Sequence, residues 1–314
     1  MANDSLPVID IAPFLKGGSS ANDVVAHVNA ACRSTGFFIV TGHGVDPAVT
    51  ARLYDSARAF FDHSDAEKRA LVGQPPQLAG VDFAPLLQEA LAATQGVSTP
   101  GDIKESVNFG PRLPGSPWPV NPQGLREAFT AYFGEMESLA HGLRRVFCAA
   151  IGLEPDYFEP YFANHLSALR VINYPAQTTD PLPGQLRAGA HTDYGFMTLL
   201  RSEASAGGLQ VQRRDGLWID APAVNNAFVV NIADAFMRWT NDTWVSTAHR
   251  VVNPPPQARG SARRQSIAFF VNPSKDAPIE CLQAFCPVAN PPKYERVTFA
   301  EYIDLKTKQA FSRA

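Results

Sequence analysis

Cysteine is scarce in this chain: four residues in 314, at positions 32, 148, 281 and 286. So few thiols exclude a disulfide scaffold at this length, and no pair has the Cys-x-x-Cys spacing of a zinc or dithiol redox site. Cys148 falls in an apolar helical pattern, while Cys281 and Cys286 suit a loop or a pairing with each other. Long apolar runs are missing too. No stretch approaches the roughly 20 residues of a membrane span, and the opening Met-Ala-Asn-Asp-Ser-Leu-Pro lacks the basic segment and apolar core of a signal peptide. The default expectation is therefore a cytoplasmic protein. Charged residues make up only 18% of the chain and the formal net charge is -3, which offers no global attraction to nucleic acid or to an anionic membrane surface. Neither is expected as a partner, and the oligomeric state stays open.

Apolar residues make up 45% of the chain, enough for a sizeable core, and their periodicity changes along it. Val8-Ile-Asp-Ile11 reads as a short strand. A helix from about Asn22 to Ser34 leads into the strand Gly36-Phe-Phe-Ile-Val40, and a second helix is expected from Asp46 to about Phe61. Ser64-Asp-Ala-Glu67 has the form of a capping box. Residues 72–121 are rich in Pro, Gly and Gln and lack sustained periodicity except at Lys104–Phe109, a texture suited to a lid or binding loop. The longest helical stripe runs from Gln123 to Ile151, with apolar residues at three- and four-residue intervals. Beyond about residue 165 short strand candidates follow one another, including Leu169–Tyr174, Met197–Leu200, Leu209–Gln212, Ala227–Ile232, Arg250–Val252 and Ser266–Val271. Such a series suggests a sandwich, barrel or jelly roll.

His191-Thr-Asp193, His249 and Arg264-Gln-Ser266 carry the chemistry of the chain. In an extended segment residues i and i+2 share a face about 6.5 Å apart, so His191 and Asp193 can reach one ion in such a segment or at its end; on a helix they would diverge by roughly 200°. Two imidazoles and one carboxylate suit ferrous iron and leave coordination positions open. Taken alone, His191 and Asp193 also suit surface hydrogen-bonding groups near a turn. The other five histidines have structural explanations: His27, His63 and His141 in helical or capping contexts, His43 in a turn, His165 ahead of the first strand of the β-rich half. Arg264 and Ser266 share one face at the start of an apolar strand, where a buried guanidinium needs an anion; Tyr174 could donate from a neighbouring strand. An exposed Arg263-Arg264 pair on a solvated loop is the other reading.

In order along the chain, Leu6-Pro-Val-Ile-Asp10, Gly36-Phe-Phe-Ile-Val-Thr-Gly-His-Gly44, Lys104-Glu-Ser106, Val171-Ile-Asn-Tyr-Pro175, His191-Thr-Asp-Tyr-Gly195, Gly207-Gly-Leu-Gln-Val211, Asn231-Ile-Ala-Asp234 and Ser246-Thr-Ala-His-Arg-Val-Val-Asn-Pro254 resemble the iron(II)/2-oxoglutarate-dependent dioxygenases of the isopenicillin N synthase-like superfamily. The resemblance implies a mainly β protein with flanking helices. Its double-stranded β-helix (jelly-roll) core would span 166–280, braced by an N-terminal α/β region at 1–165 and followed by a helical tail at 281–314, all in one structural unit. It implies Fe(II) held by His191, Asp193 and His249, and 2-oxoglutarate held by Arg264, Ser266 and Tyr174. With O2 as oxidant, a small organic molecule would be hydroxylated while 2-oxoglutarate is converted to succinate and CO2. The family's Asn-Tyr-Tyr-Pro is shortened here to Asn173-Tyr174-Pro175, which makes Tyr174 the safer correspondence. Ring closure or desaturation, with or without 2-oxoglutarate, and a cupin-like metal-binding module without catalysis are the alternatives. For the substrate pocket, Asn108, Phe109, Phe196, Phe236 and Phe270 are the candidates, although each taken singly reads more readily as a core residue.

Overall fold

The computed structural model describes residues 5–72, 74–205 and 207–311, with side chains through 306. The first four residues of the opening segment and the last three of the tail lie outside this set. Eight strands form the larger sheet, in the order Val8–Asp10, Phe37–Thr41, Phe228–Ile232, Met197–Ser202, Arg264–Val271, Ala168–Tyr174, Glu105–Phe109 and Val81–Ala84. All its pairings are antiparallel except the first. The smaller sheet is antiparallel throughout, in the order Trp218–Asp220, Leu209–Gln212, His249–Val251 and Ala188–His191. The larger sheet takes strands from both halves of the chain, so a boundary at residue 165 divides strands but not the sheet.

Side-chain alternation produces two cores from one sheet. Phe38 and Val40 point to the helical side, whereas Phe37 and Ile39 point to the smaller sheet. Leu169 and Val171 go one way, Ile172 and Tyr174 the other. On the Arg264–Val271 strand, Ile267, Phe269 and Val271 join the helical core. That leaves Arg264, Ser266, Ala268 and Phe270 in a row on the opposite face. The two sheets thus enclose a jelly-roll interior whose polar side chains are set by strand register.

Helices cover the outer face. Ala21–Ser34, Pro47–Phe61 and Leu125–Ala150 form where the apolar stripes predict them, and the capping devices are present: Asp46 accepts from the Ala48 N–H at 2.8 Å, and Ser64 and Glu67 close a reciprocal box. No helix among the described residues is long and apolar enough to cross a membrane. The irregular 72–121 stretch contributes two strands to the larger sheet and, between them, a loop carrying a short 3-10 turn at Leu91–Gln95 that lies against the Ala188–His191 strand. The C-terminal helix Phe299–Phe311 packs on the same turn.

Three phenylalanines suggested for a substrate pocket belong instead to the helical core. Phe109 packs with Trp118, Phe129 and Phe133, and Phe196 and Phe236 stack on each other at 4.2 Å and on Phe147. The reason is pleat parity: Phe109 shares its face with Val107, away from the inter-sheet space. Phe147 is fully buried where these rings meet Phe38 and Trp244. Phe147→Ala is expected to destabilise the protein by about 3–5 kcal/mol, read as a lowered urea midpoint with an unchanged slope.

Candidate metal centre

His191 is the last residue of the Ala188–His191 strand and pairs directly with His249, the first residue of its neighbour. Cross-strand register therefore brings together two imidazoles far apart in sequence, with ring centroids 4.3 Å apart. Asp193 lies just beyond the strand end, in the connection to Met197–Ser202 rather than on the strand itself. The Asp234 N–H donates to its carbonyl at 2.8 Å and holds this connection against the start of the Asp234–Trp239 helix. Gly189 sets the strand's distance from its cover, since a Cβ there would stand 2.7 Å from the Ala92 nitrogen.

One potential ligand atom from each of His191, Asp193 and His249 lies within 4.8 Å of the others. Nε2 of His191 is 3.9 Å and Nε2 of His249 is 3.8 Å from the same Asp193 oxygen, Oδ1. Each ring is oriented from behind: Nδ1 of His191 meets the Gly189 carbonyl at 2.8 Å, and Nδ1 of His249 meets that of Thr247 at 3.2 Å. A carbonyl can only accept, so these contacts assign the proton to Nδ1 and direct the Nε2 lone pairs inward. Asp193 is divided in the same way. Its Oδ2 accepts from Thr198 Oγ1 at 2.6 Å and Asn231 Nδ2 at 2.8 Å, leaving Oδ1 for the imidazoles.

Electrostatics favour the ligating forms. Burial, helped by the adjacent His249, lowers the His191 pKa to about 3, so this ring is neutral at pH 7. Burial works against ionisation of Asp193, but His249, His191 and the two donated hydrogen bonds outweigh it and hold its pKa below the usual carboxylate value. An ionised carboxylate and neutral imidazole suit a divalent cation, and the mixed nitrogen and oxygen set suits iron(II).

Arg264 lies at the far end of the inward row from Phe270 and is 3% exposed. Its Nη2 donates to Ser202 Oγ at 2.8 Å, and that hydroxyl also meets Ser266 Oγ at 3.1 Å. Nη1 is buried without a hydrogen-bond partner among the described residues. An unpartnered buried guanidinium donor is costly, and a carboxylate is the complementary acceptor. Tyr174 is the direct cross-strand partner of Arg264, with the guanidinium 5.4 Å from its ring centre.

A cavity of about 300 Å³ contains the two histidines and Asp193 and is walled by Tyr174 and Phe270. Arg264 lines an adjoining cavity of about 530 Å³, which shares Leu200 and Leu209 with the first. Asn108 is not in the wall of the metal cavity but supports Arg170, which is. Residues that local pattern did not single out complete the site: Ser202 on Arg264, Thr198 and Asn231 on Asp193, and Glu89, Lys104 and Arg170 in the cavity wall. Asn231 and Lys104 stood inside recognisable motifs, but only the folded chain shows what they touch. His43, by contrast, is occupied by the Asn226 carbonyl and the Val45 N–H.

Residues 164–273 match the 2OG-Fe(II) oxygenase superfamily, and residues 6–128 match the family described as non-haem dioxygenase in morphine synthesis N-terminal. A 2-oxoglutarate-Fe(II) type oxidoreductase, hxnY, of Emericella nidulans is 31% identical over 100% of this chain and 93% of its own length. The chain belongs to the 2OG-Fe(II) oxygenase superfamily. A homoarginine-6-hydroxylase of Glycine max is likewise 31% identical, over 99% of both chains. A full-length Neurospora crassa protein crystallised in complex with alpha-KG superposes with a TM-score of 0.82 at 29% identity, covering 98% of this chain and 97% of that one. The protein is thus a 2OG-Fe(II) dioxygenase with a jelly-roll core, and Fe(II), 2-oxoglutarate and O2 are the cofactor and co-substrates of its family. Because Asn231 orients the Asp193 carboxylate, Asn231→Ala in this dioxygenase is expected to weaken iron binding by about 10- to 100-fold, measured by metal titration of the metal-free protein.

Proposed function

We propose that this dioxygenase hydroxylates a small organic molecule, with His191, Asp193 and His249 as the iron ligands and with Arg264, Ser266 and Tyr174 around the distal carboxylate of 2-oxoglutarate. The convergence of the three ligand atoms, each fixed by an outer partner, carries this reading. When bound, iron(II) with 2-oxoglutarate and O2 supplies an oxidant strong enough to hydroxylate a C–H bond, with succinate and CO2 as co-products. The chain's part is to bind, orient and shield. The two rings and the carboxylate occupy one side of the site and leave the cavity side open to the co-substrate and the molecule oxidised.

Arg264 supplies the charge that a dicarboxylate lacks in a buried place. Its free Nη1 accounts for the otherwise unexplained donor, while Ser202 fixes the guanidinium and Ser266 shares the serine hydroxyl contact. Tyr174 stands between this end and the metal cavity, its phenol pKa raised by burial and thus protonated at pH 7, so it can donate. Apolar walls from Phe37, Leu91, Ile172 and Phe270 exclude water from the reacting end.

Relatives support small-molecule oxidation: the Glycine max protein is named for 6-hydroxylation of homoarginine, and the Neurospora crassa protein has also been solved with alpha-KG and thymine. Succinate release dependent on added iron and 2-oxoglutarate tests the reading. His191→Ala, Asp193→Ala and His249→Ala are each expected to abolish it, and full activity in any of the three overturns the ligand assignment. Arg264→Ala is expected to raise the KM for 2-oxoglutarate about 10- to 100-fold, the loss of a charge-assisted hydrogen bond. An unchanged KM removes Arg264 from the co-substrate site.

A further inference from the structure

The metal cavity has one cationic corner that neither the iron ligands nor the 2-oxoglutarate clamp uses. Arg170 sits on the inward face of the Ala168–Tyr174 strand, opposite Asn108 on one neighbouring strand and Ala268 on the other. Its Nε donates to Asn108 Oδ1 at 2.5 Å and its Nη1 to Glu89 Oε2 at 3.3 Å, with the guanidinium 5.7 Å from the ring centre of Phe270. Nη2 has no acceptor among the described residues, and the side chain lines the cavity. Two of its three nitrogens are therefore held by the protein, and Nη2 is left for a ligand.

Lys104 adds a second positive charge. Its ammonium is 2.9 Å from the same Glu89 oxygen that Arg170 uses, so one carboxylate oxygen serves two cations. Asp102 is farther from Lys104, at 3.5 Å, and is committed to the backbone: Oδ1 accepts from the Gly189 N–H and Oδ2 from the Leu91 N–H. Burial alone would raise the Glu89 pKa, yet Arg170 and Lys104 hold it at about 2, so the carboxylate stays ionised between the two cations. Around this corner the wall is apolar: Leu91, Ile172, Phe270 and Ile303.

Resting on the iron and 2-oxoglutarate reading above, we propose that the molecule oxidised is a small organic acid whose carboxylate is gripped by Arg170, with its apolar body lying along Phe270 and Ile303 toward the metal ligands. A guanidinium held at Nε and Nη1 still offers the N–H groups of Nη2, and such a charged donor makes a strong hydrogen bond to a carboxylate. Asn108 and Glu89 fix the fork before the substrate arrives and so act as positioning residues. Lys104 reinforces the field. The cavity of about 300 Å³ must also admit part of the co-substrate, which restricts the acid to a compact one.

The test uses the iron- and 2-oxoglutarate-loaded full chain and matched probes: hexanoate with hexanamide, benzoate with benzamide, and phenylacetate with phenylacetamide. Succinate release is measured above the level without probe. At least one acid is expected to stimulate release, with its own amide at least about tenfold poorer in kcat/KM. Arg170→Gln is expected to reduce that acid-to-amide ratio about tenfold or more, chiefly through the KM for the acid, whereas Arg170→Lys keeps the acid preferred. Glu89→Gln, which removes the resident anion, raises the acid preference and keeps the idea testable if Arg170→Gln does not fold. Amides equal to acids, no stimulation by any acid, or a ratio unchanged in Arg170→Gln overturns the proposal. Absence of any succinate from the wild-type protein, with or without probe, counts against the iron and 2-oxoglutarate reading instead.

Discussion

The Asp193 carboxylate ties the sheets of this fold to its chemistry. Thr198 and Asn231, from adjacent strands of the larger sheet, occupy one oxygen, while the other faces imidazoles carried by the smaller sheet. A buried carboxylate satisfied on only one side keeps a strong preference for a cation on the other. The site is thus a polar seam between two hydrophobic layers, and its geometry depends on how those layers stack.

The same alternation that makes the layers also distributes the roles. Along Arg264–Val271, one parity feeds the helical core and the other presents Arg264, Ser266, Ala268 and Phe270 to the interior, about 20 Å from end to end at the usual strand rise. A cationic end and an apolar end are therefore parts of one strand. The neighbouring Ala168–Tyr174 strand repeats the device with Arg170, Ile172 and Tyr174. Charge is confined to the places where a partner exists or where a ligand can provide one.

The cover over the interior is built differently, from segments without strong periodicity. Glu89 and Leu91 reach the cavity from the loop, and Ile303 reaches it from the C-terminal helix. Asp102 joins the loop to the metal-bearing strand through the Leu91 and Gly189 N–H groups. Tyr302 and Lys306 meet Asp234, whose backbone N–H in turn binds Asp193, so the helix is anchored next to the metal ligands. The wall of the cavity thus combines irregular segments with the strands that carry Arg170 and Phe270.

Local pattern was enough to mark out the elements and the chemical inventory. Helix stripes, capping residues and strand candidates were legible because they depend on periodicity and short-range hydrogen bonds, and His191, Asp193, His249 and Arg264 stood out because they fall in order within motifs that resemble one family, although each alone has other readings. Which aromatics are wall and which are core emerged from the packing of the sheets. Phe270 faces the cavity, whereas Phe109, Phe196 and Phe236 do not, and for a strand residue a single step of parity separates the two outcomes. The packing also brought Arg170, Lys104 and Glu89 into one corner. That meeting depends on cross-strand register and loop closure between residues distant in sequence, which no local pattern encodes.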